Sequence, residues 1–294
     1  MIGLSFLSHQ PQHQLFCACP LLENLLPIQL SPVVLHSVFQ TVVNYSYQGR
    51  LVAMMKPKRA LVPFGIKPIT EYNSLFHSNP YQKVWVSQKE LSVDDMSWEL
   101  IGVDLTFHPI PFHSEDLLGD LLHYLQRLNI PRNQGFNYSS HLCSMIESPQ
   151  TNQTKDQTAL GLPTPSHLLL QTQPQTFALE LVGRGMGSTP SGDDFLVGLF
   201  LAYYILGKAN EDDFLSLQSC LIHLLTQNHT LTTDLGREFI LYALGGSFEE
   251  GILKLANELV KGELSVVTVT QVLQGGTSGY DFLYGLLWGL NFLS

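Results

Sequence analysis

Twice in this chain a glycine-rich turn leads through Ser-Gly-x-Asp-Phe-Leu-x-Gly-Leu into a long apolar run. The first copy is Gly183-Arg-Gly-Met-Gly-Ser-Thr-Pro-Ser-Gly-Asp-Asp194, followed by the run from Phe195 to Leu206. The second opens at Gly275-Gly-Thr-Ser-Gly279. With Pro190 skipped, Ser191, Gly192, Asp194, Phe195, Leu196, Gly198 and Leu199 fall on Ser278, Gly279, Asp281, Phe282, Leu283, Gly285 and Leu286. A unit repeated over this length is an internal duplication, and each copy launches a helix. Ser191 and Ser278 stand where an N-cap belongs, with Asp194 and Asp281 three residues on, a Ser-x-x-Asp variant of the capping box. Gly198 and Gly285 predict that the two helices approach closely.

Free amides at a helix start, next to a glycine turn, make a concavity that favours a small anion such as phosphate or carboxylate. Capping and packing alone would explain the second copy equally well. They do not explain the three alternating glycines of the first copy, or Asp193 beside Asp194, since a helix start has no need of a second acid.

The 294 residues suffice for one large or two ordinary domains with a sizeable core. With 45% hydrophobic and 14% charged residues the composition is that of a compact globular chain. The apolar runs Phe195 to Leu206 and Phe282 to Leu290 fall short of the ~20 residues that span a bilayer, so they predict buried helices. No Lys or Arg precedes the apolar patch at the N-terminus, which does not read as a secretory signal, and the cytoplasm is the expected compartment. Cys17, Cys19, Cys143 and Cys220 show neither a metal spacing nor a disulfide framework. The net charge of −10 is uneven: Glu180 to Ser294 carries 5 Lys or Arg against 13 Asp or Glu, and the residues before it 10 against 12. An acidic C-terminal half argues against nucleic acid and anionic membrane as partners. It also makes Arg184 and Arg237 stand out, because a bound anion needs a guanidinium nearby.

Residues 1–30 read as a loop followed by one helical turn or a marginal helix. From Val33 to Pro111, β-branched and aromatic runs alternate with turn residues: Ser37 to Ser46, Arg50 to Met55, Ala60 to Phe64, Lys83 to Ser87 and Trp98 to Phe107. This predicts a small antiparallel sheet or barrel, with Gln48-Gly49 as a turn and Gly65 at a bend where a strand ends. An amphipathic helix opens at Ser114-Glu-Asp116 with leucines at 117, 118, 121, 122, 125 and 128 on one face, and ends at Pro131. His113 and His123 lie near it as packing or surface residues. The polar stretch 132–165 reads as a long loop, or as a lid over the motif that follows. Helices are then expected over Asp193–Gly207, Asp212–Gln227, Thr233–Leu244, from a Ser247 cap to Lys261, Val266–Leu273 and Gly279–Phe292. The β-branched segment Val266–Leu273 is read as helix because its place before the second motif matches Phe177–Val182 before the first. The fold class is α+β: residues 1–111 a β-rich domain, 112–165 a helix and loop, and 166–294 a helical domain carrying both motifs.

Gly-x-Gly-x-Gly-x-Thr-Pro-Ser-Gly-Asp-Asp-Phe-Leu-x-Gly, from Gly183 to Gly198, resembles the signature of the AllH-like family, long catalogued as a domain of unknown function. Ser37-Val-Phe39, the helix from Thr232-Thr233 to Tyr242-Ala-Leu-Gly-Gly246, and Gly276-Thr-Ser-Gly279 fit as well. The chain departs from the pattern at Ser188, where a leucine is expected. The resemblance implies a subunit of oxamate carbamoyltransferase in allantoin breakdown, a step of purine catabolism. It also implies two unrelated partner subunits and a carbamoyl transfer between oxamate and carbamoyl phosphate.

That chemistry needs a phosphate pocket, donors at the developing oxyanion and an acceptor for the carbamoyl NH2. Amides of Gly185 to Gly187 and Gly192, with hydroxyls of Ser188, Thr189 and Ser191, are the candidate binders of a small anionic substrate. Arg184 or Arg237 would balance its charge, Asp193 or Asp194 would orient the nitrogen, and Thr277, Ser278 and Asp281 of the second copy would complete the site. Two carboxylates beside an anion repel it, and a Mg2+ on Asp193 would relieve this. The alternative is a non-catalytic subunit that completes another subunit's active site. A nucleotide phosphotransferase is disfavoured, since Gly-x4-Gly-Lys-Ser/Thr is absent.

Overall fold

The computed structural model describes residues 15–18, 22, 25–69, 83–94, 96–109, 117–128, 142–143, 145–146, 165–274 and 277–293. It divides into two compact units, Met1–Asp104 and Leu105–Ser294, the first holding the strands and the second the helices, so the class is α+β.

In the first unit β1 (Leu15–Ala18), β2 (Ser31–Pro32), β3 (Val34–Val38), β4 (Val42–Tyr47), β5 (Arg50–Met55), β6 (Gly65–Pro68), β7 (Val84–Val86), β8 (Glu90–Val93) and β9 (Met96–Gly102) form one nine-stranded sheet. Its order is β2-β7-β8-β9-β1-β6-β5-β4-β3. Pairing is antiparallel except at β1–β9 and β5–β6. The two edge strands are separated in the chain only by Val33, whose amide donates to the Val84 carbonyl at 3.0 Å, so both edges lie on one extended segment. Gln48 and Gly49 join β4 to β5 with φ of 49° and 77°, the left-handed pair of a tight hairpin turn.

Four strand expectations need correction. The stretch read as a loop before residue 30 contains β1, which sits mid-sheet between β9 and β6. A strand of four residues is too short for a period-two reading to detect. Ser37–Ser46 is not one strand: β3 and β4 form a hairpin closed by Phe39 N donating to Val42 O at 2.8 Å. Ala60–Phe64 is a turn region, and Gly65 begins β6 rather than ending a strand. β8, which pairs with both β7 and β9, was not foreseen.

The second unit comprises α1 (Leu117–Leu125), α2 (His167–Thr172), α3 (Pro174–Leu181), α4 (Ser191–Ile205), α5 (Asp212–Gln227), α6 (Asp234–Leu244), α7 (Glu250–Lys261), α8 (Val266–Leu273) and α9 (Thr277–Leu293). Its centre is the pair α4 and α9, the two motif helices. Each is apolar on nearly every side, and most of their residues are buried. Contacts between them advance in step from Thr189–Ser278 through Phe195–Gly285 to Ala202–Gly289, so the two helices run parallel. The contacts are reciprocal. Gly198 lies against the backbone of Phe282 and Leu286, and Gly285 against that of Phe195, with no space for a Cβ at either crossing. Gly192 likewise meets the carbonyl of Leu181 in α3, and Gly279 that of Val272 in α8. The duplicated unit is therefore helix, turn and helix, and β-branched Val266–Leu273 is helical as its place in the repeat requires.

α5 and α7 are amphipathic; Phe214, Leu217, Leu221 and Leu225 of α5 point inward. Gly262 closes α7 at φ 69°. Ser247 does not cap α7, whose N-cap is Glu249; it is buried and bridges to Thr106 instead. The helix start at Ser114–Asp116, His113, Pro131, Cys19, Gly275-Gly276 and nearly all of the 132–165 segment lie outside the described residues. Among those described, no helix is long and apolar enough to cross a membrane.

Candidate active site at the glycine turn

The turn between α3 and α4 uses its glycines as glycines. Gly183, Gly185 and Gly187 have φ of 71°, 112° and 100°, the left-handed half of the map that side chains avoid. At Gly183 a Cβ would also strike the carbonyl of Leu231, whereas at Gly187 it would meet nothing within 4 Å. Residues 184–188 are exposed, Met186 to 69%. Among the described residues, the amides from Gly185 to Thr189 donate to no protein acceptor. A row of exposed, uncommitted donors is what a small anion requires.

Three helices point their N-termini at this turn. α4 leaves it directly, and α9 begins where the Ser278 hydroxyl meets that of Thr189 at 2.7 Å. α6 begins where Thr233 donates to the Ser188 carbonyl at 2.6 Å while accepting from Gly236 N at 2.9 Å. α6 runs alongside α4 in the same direction: Gly236 abuts Asp193 at one end, and Tyr204 donates to the Leu244 carbonyl at 2.9 Å at the other. Each N-terminus carries about half a positive charge, so three parallel helices concentrate positive potential on one turn.

Buried acids answer part of that potential. Asp193, 1% exposed, accepts from Gly183 N through Oδ1 at 2.7 Å and from the Thr232 hydroxyl through Oδ2. It pins the glycine turn to the segment before α6. Burial pushes its carboxyl up to about 6, against the lowering effect of those two hydrogen bonds. Asp194, 9% exposed, lies in the first turn of α4. Burial holds it well above the usual carboxylate range; the Ser278 and Thr189 hydroxyls oppose this, and the charges of Asp281 and Asp193 add to it. Its Oδ2 is buried with no hydrogen-bond partner among the described residues.

A carboxyl that titrates higher in the folded chain stabilises it in acid and less so as pH rises. For Asp193 the contribution is full near pH 4 and gone above about 6. The stability of wild type relative to Asp193→Asn should fall by on the order of 2 kcal/mol across that window. Denaturant unfolding of both proteins at pH 4, 5, 6 and 7 checks this, and a flat difference refutes it.

The structure gathers most of the predicted residues and reassigns several. Gly185, Gly187, Ser188 and Arg184 are on the exposed turn, and Thr277 is exposed at the start of α9. Thr189, Ser278, Asp194 and Asp281 lie together between the first turns of α4 and α9. Ser191 is not an N-cap. Pro190 holds that position with no side-chain cap, and Ser191 is buried inside the first turn. Ser278 also lies within its helix, its hydroxyl paired with that of Thr189. The Gly192 amide is committed to the Arg184 carbonyl at 2.8 Å and cannot serve an anion. Arg237 is buried, with Nη2 on Asp234 at 2.7 Å and Nη1 against His229 Nδ1 at 2.9 Å. Both oxygens of Asp193 are engaged, and among the described residues no group of three or more His, Cys, Asp or Glu is placed to hold a metal.

Sequence reasoning missed Thr232, Thr233 and Leu231. Thr232-Thr233 ahead of a helix was the available signal, but nothing local shows that those hydroxyls serve residues about 40 positions earlier. No curated protein and no solved structure matches this chain. Over residues 181–290, from the end of α3 into α9, the chain matches the family model described as "Oxamate carbamoyltransferase subunit AllH", the family that its Gly183–Gly198 motif resembles.

Proposed function

We propose that this chain is a subunit of a carbamoyltransferase acting between oxamate or oxalurate and carbamoyl phosphate, and that the glycine turn is its small-anion site. One observation carries the reading: the parallel helices α4, α6 and α9 converge their N-termini on an exposed turn whose amides from Gly185 to Thr189 are uncommitted. The family match supplies the chemistry. In the direction of oxalurate cleavage, a phosphate oxygen attacks the carbamoyl carbon. The bond from that carbon to the oxamate nitrogen breaks, and the nitrogen takes a proton. The amides of Gly185 and Gly187, the Ser188 hydroxyl and the exposed Arg184 hold the phosphate or the substrate carboxylate. Asp193 acts as a positioning residue that keeps the turn in shape. Asp194 and Asp281, between α4 and α9, face the nitrogen end of the substrate. The repulsion expected from paired carboxylates is eased because Asp194 is driven toward its neutral form.

The exposure of residues 184–188 also favours a second reading, in which another subunit closes over the turn and supplies the remaining catalytic groups. Carbamoyl phosphate formation from oxalurate and phosphate separates the two, assayed with this chain alone and with candidate partner subunits added. Arg184→Ala and Gly187→Val are each expected to weaken phosphate binding by about tenfold or more in a thermal-shift or calorimetric titration. Unchanged binding in both would remove the turn from the site.

A further inference from the structure

Among the described residues, Oδ2 of Asp194 is buried beside the turn and has no hydrogen-bond partner. The residue is nine-tenths buried between the first turns of α4 and α9. Beside it the Thr189 and Ser278 hydroxyls lie 2.7 Å apart and pair with each other. A structural acid in such a place would normally use both oxygens, as Asp193 does one residue earlier with Gly183 and Thr232. An unpartnered buried carboxyl oxygen is costly, and a ligand that satisfies it recovers that cost.

We infer that Asp194 is the specificity-determining residue of the glycine-turn site, selecting small acids that carry a primary amide or carbamoyl end and rejecting the matching dicarboxylates. The inference rests on the anion-site reading above, and names the other end of the ligand. The carboxylate or phosphate end lies on the amides of the turn, and the opposite end reaches Asp194. A primary amide answers Oδ2 in either state, by its N–H when the acid is ionised and by its C=O when the acid is protonated. A second carboxylate answers only the protonated state, and in either state it adds a charge beside Asp193 and Asp281. A site with a committed buried polar group discriminates strongly against a ligand that leaves it unanswered.

Oxamate and oxalate test this, since they differ only by amide against carboxylate. Calorimetric titration of the full-length chain with oxamate, oxalate and inorganic phosphate should give oxamate at least about tenfold tighter than oxalate. In Asp194→Asn and Asp194→Ala that preference should collapse to within about threefold, with phosphate affinity changed by less than about threefold. Equal affinity for oxamate and oxalate in the wild type, with phosphate still bound, overturns the inference and leaves the anion site standing. So does a preference that survives in Asp194→Asn, the near-isosteric variant that retains the fold if the alanine does not. A wild-type chain that binds neither phosphate nor oxamate overturns both.

Discussion

Gly285→Ala is expected to cost the helical unit about 3 kcal/mol or more, far above the usual price of a single methyl group. The added Cβ points into the backbone of Phe195 on the parallel helix α4, and backbone cannot swing aside as a flexible side chain would. The helices would have to separate along the whole crossing. That separation loosens the packing of Phe195 on Tyr284 and Trp288, whose ring centroids lie 5.4 and 5.8 Å away. Gly198→Ala, the counterpart in the first copy, meets the backbone of Phe282 and Leu286 and should behave alike. Gly251→Ala is the control. It lies in the first turn of α7 with nothing within 4 Å of a new Cβ, and should be neutral or stabilising by about 0.5 kcal/mol. Denaturant midpoints for the three variants decide the matter. A Gly285→Ala midpoint equal to that of Gly251→Ala would show that the crossing has slack.

Asp193→Ala is the second large effect, expected to destabilise by about 3 kcal/mol. It leaves the Gly183 amide and the Thr232 hydroxyl without their acceptors in a site with almost no solvent. Relief of a buried charge offsets part of that loss at neutral pH. Asp193→Asn retains an acceptor for one donor and removes the charge, so it should cost less than about 1 kcal/mol. The two also separate in function, because the alanine frees the glycine turn from the segment before α6 while the asparagine still holds it. Phosphate affinity should drop in the alanine variant and stay near wild type in the asparagine variant. An alanine variant as stable as wild type would mean that the turn holds its shape without Asp193.

Much of the helical unit was legible in the sequence because its signals are local. α5 runs over Asp212–Gln227, as the spacing of Phe214, Leu217, Leu221 and Leu225 requires, and the Gly245-Gly246 pair ends α6. The duplication even settled a case in which propensity pointed the other way. Val266–Leu273 has the composition of a strand, but its place in the repeat demanded a helix. In the sheet, only runs bounded by strong turn signals were legible, such as β5 after Gln48-Gly49. β1 escaped because four residues are too few to show an alternating pattern, and its partners β6 and β9 lie far along the chain.

The site divides along the same line. From sequence alone came the turn, its glycines, the two acids after it and the matching Ser-x-x-Asp of the second copy, because backbone conformation and helix initiation are decided over a few residues. Only the tertiary structure decided what those residues do. It set α4 and α9 parallel through reciprocal glycine contacts and brought the start of α6 to the same turn. It turned the expected capping serines to other duties, gave both oxygens of Asp193 to partners at positions 183 and 232, and left one oxygen of Asp194 unanswered. Each of these depends on close packing between segments distant in sequence, where a carbonyl or a hydroxyl arrives at a particular point in space, and no local pattern of residues encodes that arrival.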